Sequence, residues 1–373
     1  MDNFTDEDKK FMDMAIGLAR RVKGLTNPNP AVGAVVVRRG VVVGKGATEQ
    51  WGGAHAEKKA LRSAAARGRG ATLYVTLEPC CHFGRTAPCT DSVIAAGIAR
   101  VVVALQDPNP LVAGKGIRIL RKHGIVVSTG LRRMEAFAVN EDFFLAITRR
   151  RAFITLKLAL TLDGRIADST GKSKWITPVR MRRVVHGLRA THAAVAVGNG
   201  TLLSDDPSLT VRYGRRTNPA RVVFTSSAAV PKESFFYCHA GETRSIVVIR
   251  GSARREVVID PATKIEYWHT GESDPVTSMK VFSEMAFEQN ILSVFVEGGQ
   301  KIASAFLDAC LVDRLYLFYG NKIVGRGMDG ILTERALPVA SGIVLRKRRV
   351  QLISDDFYIT GIPSFPQDHK TGE

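Results

Sequence analysis

Glu78-Pro79-Cys80-Cys81-His82-Phe83-Gly84-Arg85-Thr86-Ala87-Pro88-Cys89 decides how this chain is read, together with His55-Ala56-Glu57 earlier in it. The longer stretch leaves a strand expected over 72–77 and enters a helix expected near 90–96. The shorter one follows Gly52-Gly53 and opens a helix expected over 54–66. One imidazole and two thiolates, from His55, Cys80 and Cys89, make three of the four tetrahedral positions around zinc. That is the catalytic arrangement, with the fourth position left to water. Zinc draws the pKa of such a water from ~15.7 toward ~7. Glu57, two residues past His55, can reach that water without ligating the metal and shuttle protons to a departing amine. A cysteine entering a helix N-terminus also gains thiolate character. His55 alone reads as an ordinary surface histidine, and it is the combination that points to zinc. Cys81 and His82, inside the eight residues that separate Cys80 from Cys89, are competing ligands.

Working outward, 6–22 reads as an amphipathic helix with Phe11, Met14, Ala15, Leu18 and Val22 on one face. Thr5 and Asp8 form a capping-box pair at its start. Asn27-Pro28-Asn29-Pro30 breaks the chain before strands over 31–37 and 41–43. After Cys89 come strand 101–105, helix 116–123, strand 126–128 and helix 132–147. Arg149-Arg150-Arg151 then marks a domain boundary. Alternation restarts with strand 153–160, helix 178–190 and strands 193–197, 221–224 and 245–249. Helix 275–288, strand 292–296, helix 300–311 and strands 314–319 and 350–359 complete it. The pattern predicts two independent α/β domains, 1–150 and 151–373.

The 373 residues are 45% hydrophobic and 24% charged, which excludes a disordered or fibrous chain. No apolar run approaches the ~18–20 residues of a membrane span. The net charge of +18 is spread over both halves, with 23 basic against 13 acidic residues in 1–150 and 30 against 22 in the rest. Its densest runs, Arg149–Arg151 and Arg346-Lys347-Arg348-Arg349, are short and lack interleaved aromatics. They suit a solvated basic surface, or one serving small anionic ligands, better than a nucleic-acid face. Five cysteines make no disulfide framework, and an acidic start is unlike a basic leader; a cytoplasmic protein is expected.

The second half lacks a Gly-x-Gly-x-x-Gly after its first strand, which disfavours an ordinary dinucleotide fold. Instead, Glu297-Gly298-Gly299 ends a strand and opens a helix at Gln300, a place where backbone N–H groups can meet a phosphate.

His-x-Glu followed by Pro-Cys is the zinc deaminase pattern, with a longer gap before the second cysteine. The 78–89 stretch, Pro28-Asn29-Pro30-Ala31-Val32-Gly33 and Gln106-Asp107-Pro108-Asn109-Pro110 closely resemble the bifunctional deaminase/reductase family of riboflavin biosynthesis. In the second half the resemblance rests on Lys157-Leu158-Ala159, Leu162-Asp163-Gly164-Arg165 and Gly171-Lys172-Ser173-Lys174-Trp175-Ile176-Thr177. It continues through Gly200–Arg212 and Val296–Gly299, and thins between Ala228 and Met285. It implies a cytidine-deaminase-like three-layer domain followed by a dihydrofolate-reductase-like α/β domain, with Zn2+ and NADPH as cofactors. The implied substrate is a phosphorylated pyrimidine. No nucleic-acid partner and no membrane are expected, and the expected assembly is a homo-oligomer. It further implies zinc on His55, Cys80 and Cys89, proton transfer by Glu57, and a base contact or a mere turn at Asn29. NADPH contacts would be Ala159, Trp175, Thr201, Asp205, Ser226, Gly299, Gln300, Lys301, Ile302, Ala303, Ser304 and Ala305. Substrate contacts would be Ser173, Arg189, Leu209, Arg212 and Glu297, with Lys157 assisting the opened sugar. Asp205-Asp206-Pro207 also reads as a structural turn, and Asp163-Gly164 as a hairpin turn. Two other classes remain: a nucleic-acid base deaminase with an RNA-binding second half, and a structural zinc module closed by Cys81 or His82.

Overall fold

The computed structural model describes residues 4–83, 87–213, 217–227, 229–251, 253–334 and 336–366. The chain divides into two compact units, Met1–Arg150 and Arg151–Glu373.

The first unit runs α1 (Asp6–Val22), β1 (Gly33–Arg38), β2 (Val41–Ala47), α2 (Ala56–Ala64), β3 (Thr72–Val75), α3 (Cys89–Ala95), β4 (Arg100–Val103), α4 (Lys115–Lys122), β5 (Val126–Thr129), α5 (Arg133–Val139) and α6 (Glu141–Arg149). Its sheet has the order β2-β1-β3-β4-β5, antiparallel at β1 and parallel from β3 to β5. Glycines set how closely helices approach it. A Cβ on Gly33 would fall 1.9 Å from the Ala15 carbonyl oxygen of α1, and one on Gly46 2.2 Å from that of Ala56 in α2. Gly33 and Ala34 point to opposite faces, and Ala34 pairs with Gly46, so α1 and α2 cover opposite sides of the sheet. That is the three-layer arrangement.

The Thr5–Asp8 capping box forms as expected. Asp8 also accepts from the Tyr74 hydroxyl at 2.7 Å and from Arg100 at 2.8 and 3.2 Å, tying α1 to β3 and β4. The single helix expected over 132–147 is instead α5 and α6, broken at Asn140. The buried Asn140 amide accepts from Ala31 N–H at 2.9 Å and donates to Ala31 C=O at 2.8 Å, standing in for a strand partner.

The second unit runs β6 (Phe153–Leu160), β7 (Arg165–Asp168), α7 (Val179–Arg189), β8 (Ala194–Gly198), α8 (Asn199–Asp205), β9 (Ala220–Thr225), α9 (Phe235–Cys238), β10 (Ser245–Ile249), β11 (Arg255–Ile259), β12 (Glu266–Thr270), α10 (Pro275–Glu288), β13 (Ser293–Val296), α11 (Gln300–Asp308), β14 (Val312–Tyr319), β15 (Gly327–Asp329), β16 (Val344–Ile353) and β17 (Asp356–Ser364). The large sheet has the order β11-β12-β10-β9-β8-β13-β6-β14-β17-β16, parallel from β12 to β14. Period-two alternation divides its core. Ile154, Leu156, Ala196, Val222 and Val248 face Phe282 and Phe306, while Val195, Val223, Val247 and Phe295 face Met181 and Phe236. β7 pairs only with β15. The strand expected over 350–359 is a hairpin, β16–β17, turning at Ser354 with φ 58°. The expectations missed β7, β11, β12 and β15; every residue of β11 is exposed, so it carries no hydrophobic alternation to read.

Candidate functional site

In the first unit the site forms where helix starts meet the end of β3. His55 is the extended residue before α2, Glu57 lies in that helix's first turn, and Cys89 is the first residue of α3. The N–H groups of Cys89 and Thr90 both donate to the Cys80 carbonyl, at 3.0 and 3.2 Å, and the Cys89 N–H also lies 3.4 Å from Cys80 Sγ. The α3 start therefore grips the ligand loop. His55 Nδ1 lies 3.2 Å from Cys89 Sγ and 3.5 Å from Cys80 Sγ, and the three donor atoms all lie within 4.8 Å of one another. Zn–N and Zn–S bonds at tetrahedral angles place such donors about 3.6 Å apart. These residues fit zinc. No other such cluster occurs among the described residues. Cys81 Sγ turns toward the Leu111 carbonyl, 3.9 Å away, and His82 stands exposed on the cavity wall, so neither joins the triangle.

Charge follows this geometry. Hydrogen bonding from Cys89, then from His55, holds Cys80 down at about 4 against the effect of burial, while the Cys89 thiol is pushed up beside it. Burial pushes Glu57 up to about 7, with the Cys80 thiolate adding and His55 opposing. A divalent cation held at the triangle would draw Glu57 and Cys89 down and reinforce the thiolate of Cys80.

A cavity of about 290 Å³ opens in front of the triangle. Asn29 lines it and also closes a turn, its N–H donating to Thr26 C=O at 2.8 Å. Trp51, Asp107, Asn109 and Phe143 complete the wall, and burial pushes Asp107 up to about 6. Sequence reasoning assigned these four no role, although Asp107-Pro108-Asn109-Pro110 carried the signal. Gly84, Arg85 and Thr86 of the resemblance lie outside the described residues.

In the second unit Thr201, Asp205, Ser226, Glu297 and Gly299 lie beyond the carboxyl ends of the parallel strands β8, β9 and β13, where open α/β sheets bind ligands. Inserting β13 between β8 and β6 creates the switch point. A Cβ on Gly298 or Gly198 would lie 2.8 Å from Ile302, and one on Gly299 3.7 Å from Thr201 Oγ1, so α11 sits close over β8 and α8. Gly299 caps α11 with no side-chain bond, which suits a first turn offering N–H groups to a phosphate. Only the start of the expected 299–305 run faces that way. Ala303 and Ala305 are packed into the core, and Ser304 Oγ accepts from Leu332 N–H at 2.9 Å. Helical periodicity accounts for the difference. Ala159 is the next-to-last residue of β6, Ser226 follows β9, and Asp205 pairs with Lys174 at 3.1 Å. Trp175 is 59% exposed, with the Arg182 guanidinium 3.7 Å from its ring centre. These residues fit an extended phosphorylated cofactor.

Beside them lies a buried charge cluster. Glu297 bonds Arg189 Nε and stands 3.6 Å from Lys157 Nζ, while Arg189 Nη1 donates to the Thr210 carbonyl at 3.0 Å. Burial drives Lys157 down with Glu297 opposing; burial also resists ionisation of Glu297, and Arg189 and Lys157 outweigh it. Arg189 is thus Glu297's partner as well as a phosphate candidate. Arg212 follows the buried Leu209, its N–H donating to His186 Nδ1 at 3.2 Å and its guanidinium to Ser208 at 3.0 Å. Ser173 C=O accepts from Ile176 N–H at 3.1 Å, fixing the turn that carries Trp175. Asp163-Gly164 forms a tight turn through Gly164 N–H to Thr161 C=O at 3.0 Å.

A profile for the cytidine and deoxycytidylate deaminase zinc-binding region matches residues 5–105, and one for the RibD C-terminal domain matches 152–359. Riboflavin biosynthesis protein RibD of Aquifex aeolicus is 42% identical over 359 residues, covering 94% of this chain and 97% of that protein. The Escherichia coli RibD is 40% identical over 340 residues, covering 88% and 91%. A solved deaminase/reductase from Thermotoga maritima matches with TM-score 0.82 at 38% identity, over 96% of this chain and 99% of that one. RibD from Acinetobacter baumannii matches with TM-score 0.86 at 32% identity, with the same coverage. Two profiles fall on two units, each with its own site, and the relatives span nearly the whole chain: it belongs to the RibD family of riboflavin biosynthesis proteins.

Proposed function

We propose that this chain is a bifunctional enzyme of riboflavin biosynthesis. Met1–Arg150 deaminates 2,5-diamino-6-(5-phosphoribosylamino)pyrimidin-4-one to 5-amino-6-(5-phosphoribosylamino)uracil, and Arg151–Glu373 reduces the ribosyl group to ribityl with NADPH. The observation that carries the reading is the triangle of His55, Cys80 and Cys89 with buried Glu57 against it, in a chain whose other half is of the RibD C-terminal type.

When bound to those three residues, zinc supplies a Lewis acid that brings water's pKa toward ~7. Glu57 takes the proton of the attacking water on a carboxylate oxygen and delivers it to the departing amine. Its burial keeps that proton from bulk solvent. Asn29 contacts the pyrimidine from the wall. In the second unit Arg189 and Arg212 offer donors to the sugar phosphate, beside Ser173 and Leu209. Glu297 holds ribose hydroxyls, and Lys157 assists the opened sugar in accepting hydride. NADPH supplies that hydride and lies along Ala159, Trp175, Thr201, Asp205, Ser226 and the Gly299–Ile302 turn.

The RNA-binding alternative has no support in a second half of this family, and the closed structural site has none in the placement of Cys81 and His82. The reading also includes a homo-oligomer. Exposed Val344, Val350 and Leu352 on the edge strand β16, with Ile323, Leu332 and Val339 in the same unit, suit burial against another copy. Five free cysteines suit a reducing, cytoplasmic setting; no described helix is long and apolar enough to cross a membrane.

The test is to give the diamino substrate to zinc-loaded protein with and without NADPH and weigh the products. Ammonia release without NADPH, and a two-hydrogen gain only with it, are expected. Loss of either product overturns the corresponding half.

A further inference from the structure

The residue before Pro79-Cys80 is Glu78, 3% exposed. Its carboxylate collects three backbone N–H groups. Oε2 accepts from Asp107 at 3.3 Å and from Gly114 at 2.9 Å, and Oε1 accepts from Ile117 at 3.1 Å. Gly114 and Ile117 are the cap and third residue of α4, so the negative charge sits on the orphan donors at the positive end of that helix. Asp107 begins the cavity wall, and its Oδ1 accepts from Asn109 N–H at 2.8 Å. Glu78 N–H is itself anchored on Leu105 C=O at 2.8 Å.

The backbone on the other side of the joint is equally fixed. A Cβ on Gly116 would lie 2.2 Å from the Pro79 carbonyl oxygen, so the first turn of α4 rests on the peptide that leads into Cys80. One carboxylate therefore bonds the start of α4 and the wall segment, and holds both to the strand end that delivers a metal ligand. All three protein donors are N–H groups, and an ionised carboxylate is acceptor-only. An amide at this place would turn its own NH2 group toward at least one of them.

From this joint we infer that Glu78 is a positioning residue for the deaminase site: it sets the Cys80 loop and the Asp107–Asn109 wall as a single piece, so that metal retention and substrate binding depend on the same carboxylate. The inference rests on the deaminase reading above. Partners one shell outside a metal typically govern ~10–100-fold in affinity, and here the same side chain also shapes the pocket.

The test compares wild type with Glu78→Gln, Glu78→Asp and Gly116→Ala as full-length proteins. Zinc affinity is read by competition with a chromophoric chelator, and kcat and KM for ammonia release are read separately. Reduction of the supplied deaminated intermediate is the internal control. Glu78→Gln is expected to weaken zinc binding ~10–100-fold and to raise KM once zinc is saturating, with reduction unchanged. Glu78→Asp recovers part of both losses because it keeps the charge. Gly116→Ala keeps the Glu78 carboxylate but wedges a methyl group against the Pro79 carbonyl and, 3.2 Å away, against Glu78 Oε1, and moves both readouts in the same direction as Glu78→Gln.

Folded Glu78→Gln with wild-type zinc affinity and KM overturns the inference. So does a loss of zinc affinity with no change in KM at saturating metal, since the wall would then be independent. If Glu78→Gln does not fold, a Glu78→Asp protein indistinguishable from wild type overturns it instead. Wild type that neither binds zinc nor releases ammonia removes the deaminase reading and this inference with it, whereas active wild type beside an indifferent Glu78→Gln removes the inference alone.

Discussion

The chemical groups of Met1–Arg150 lie on three short pieces of chain: the start of α2, the loop after β3 and the start of α3. Those proposed for Arg151–Glu373 come from β6, from the ends of β8, β9 and β13, from α7 and from the loops between them. The difference follows from what each site must hold. A metal accepts few side-chain types at fixed distances, so His55, Cys80 and Cys89 have almost no freedom of identity. An extended cofactor is met by backbone N–H groups, small residues and apolar walls, which many side chains can provide. One site is specified by residue type, the other by topology. The two should therefore fail separately, and differently.

The largest expected separation comes from Glu57→Gln. The amide keeps the volume and cannot carry the proton, so ammonia release should fall by ~10²–10⁴-fold, while zinc content and NADPH-dependent reduction of supplied intermediate stay at wild-type values. A variant that still releases ammonia removes the role given to Glu57. One that also loses reduction breaks the separation between the halves.

The mirror experiment is Glu297→Gln. It leaves Lys157 and Arg189 buried without their anionic partner. Removing one member of such a cluster typically costs ~3–5 kcal/mol. NADPH oxidation should collapse and the second unit should melt earlier, with ammonia release untouched. If ammonia release falls in parallel, the two sites share more than a chain.

The same contrast governs what could be read from the sequence. Strand 153–160, strand 245–249 and helix 275–288 lie where hydrophobic period places them. The failures have specific causes. Asn140 interrupts a good helical pattern because its amide is needed by Ala31, a tertiary demand invisible to periodicity. β11 is exposed throughout, and β16 nearly so, hence neither shows alternation. The clustering of His55, Cys80 and Cys89 was legible because a metal restricts residue type and spacing. Of the cavity wall, Asp107 and Asn109 sat in a recognisable stretch without an assigned role, whereas Trp51 and Phe143 gave no signal, since only the fold brings them there. In α11 the motif named Gly299 through Ala305, and helical geometry turns Ala303 and Ala305 away from the cleft.

A third test sharpens the comparison in stability. Asp8 is held down to about 2: burial works against its ionisation, and hydrogen bonds from Arg100, Tyr74 and Thr5 prevail. A carboxyl lowered from its ordinary 3.8 contributes stability that is complete above that value and lost as pH falls through about 2. The shift corresponds to about 2 kcal/mol. Asp8→Asn should lower the melting temperature of the first unit at neutral pH, and the gap from wild type should narrow as the solution is taken toward pH 2. A gap that persists unchanged in acid would mean that packing, not charge, makes Asp8 matter.

The smallest effect probes the weakest contact proposed. Trp175 is more than half exposed, and what steadies it is the Arg182 guanidinium 3.7 Å from its ring centre, with Lys322 Nζ donating to its carbonyl at 2.7 Å. An exposed cation–π pair is worth ~0.5–1 kcal/mol, so Arg182→Ala should raise KM for NADPH about 2–5-fold and leave kcat for reduction alone. Trp175→Ala should do at least as much. Equal KM values in both variants and wild type would take Trp175 out of the cofactor cleft. A fall in kcat at saturating NADPH would instead place the indole against the reacting sugar, on the substrate side of the same cleft.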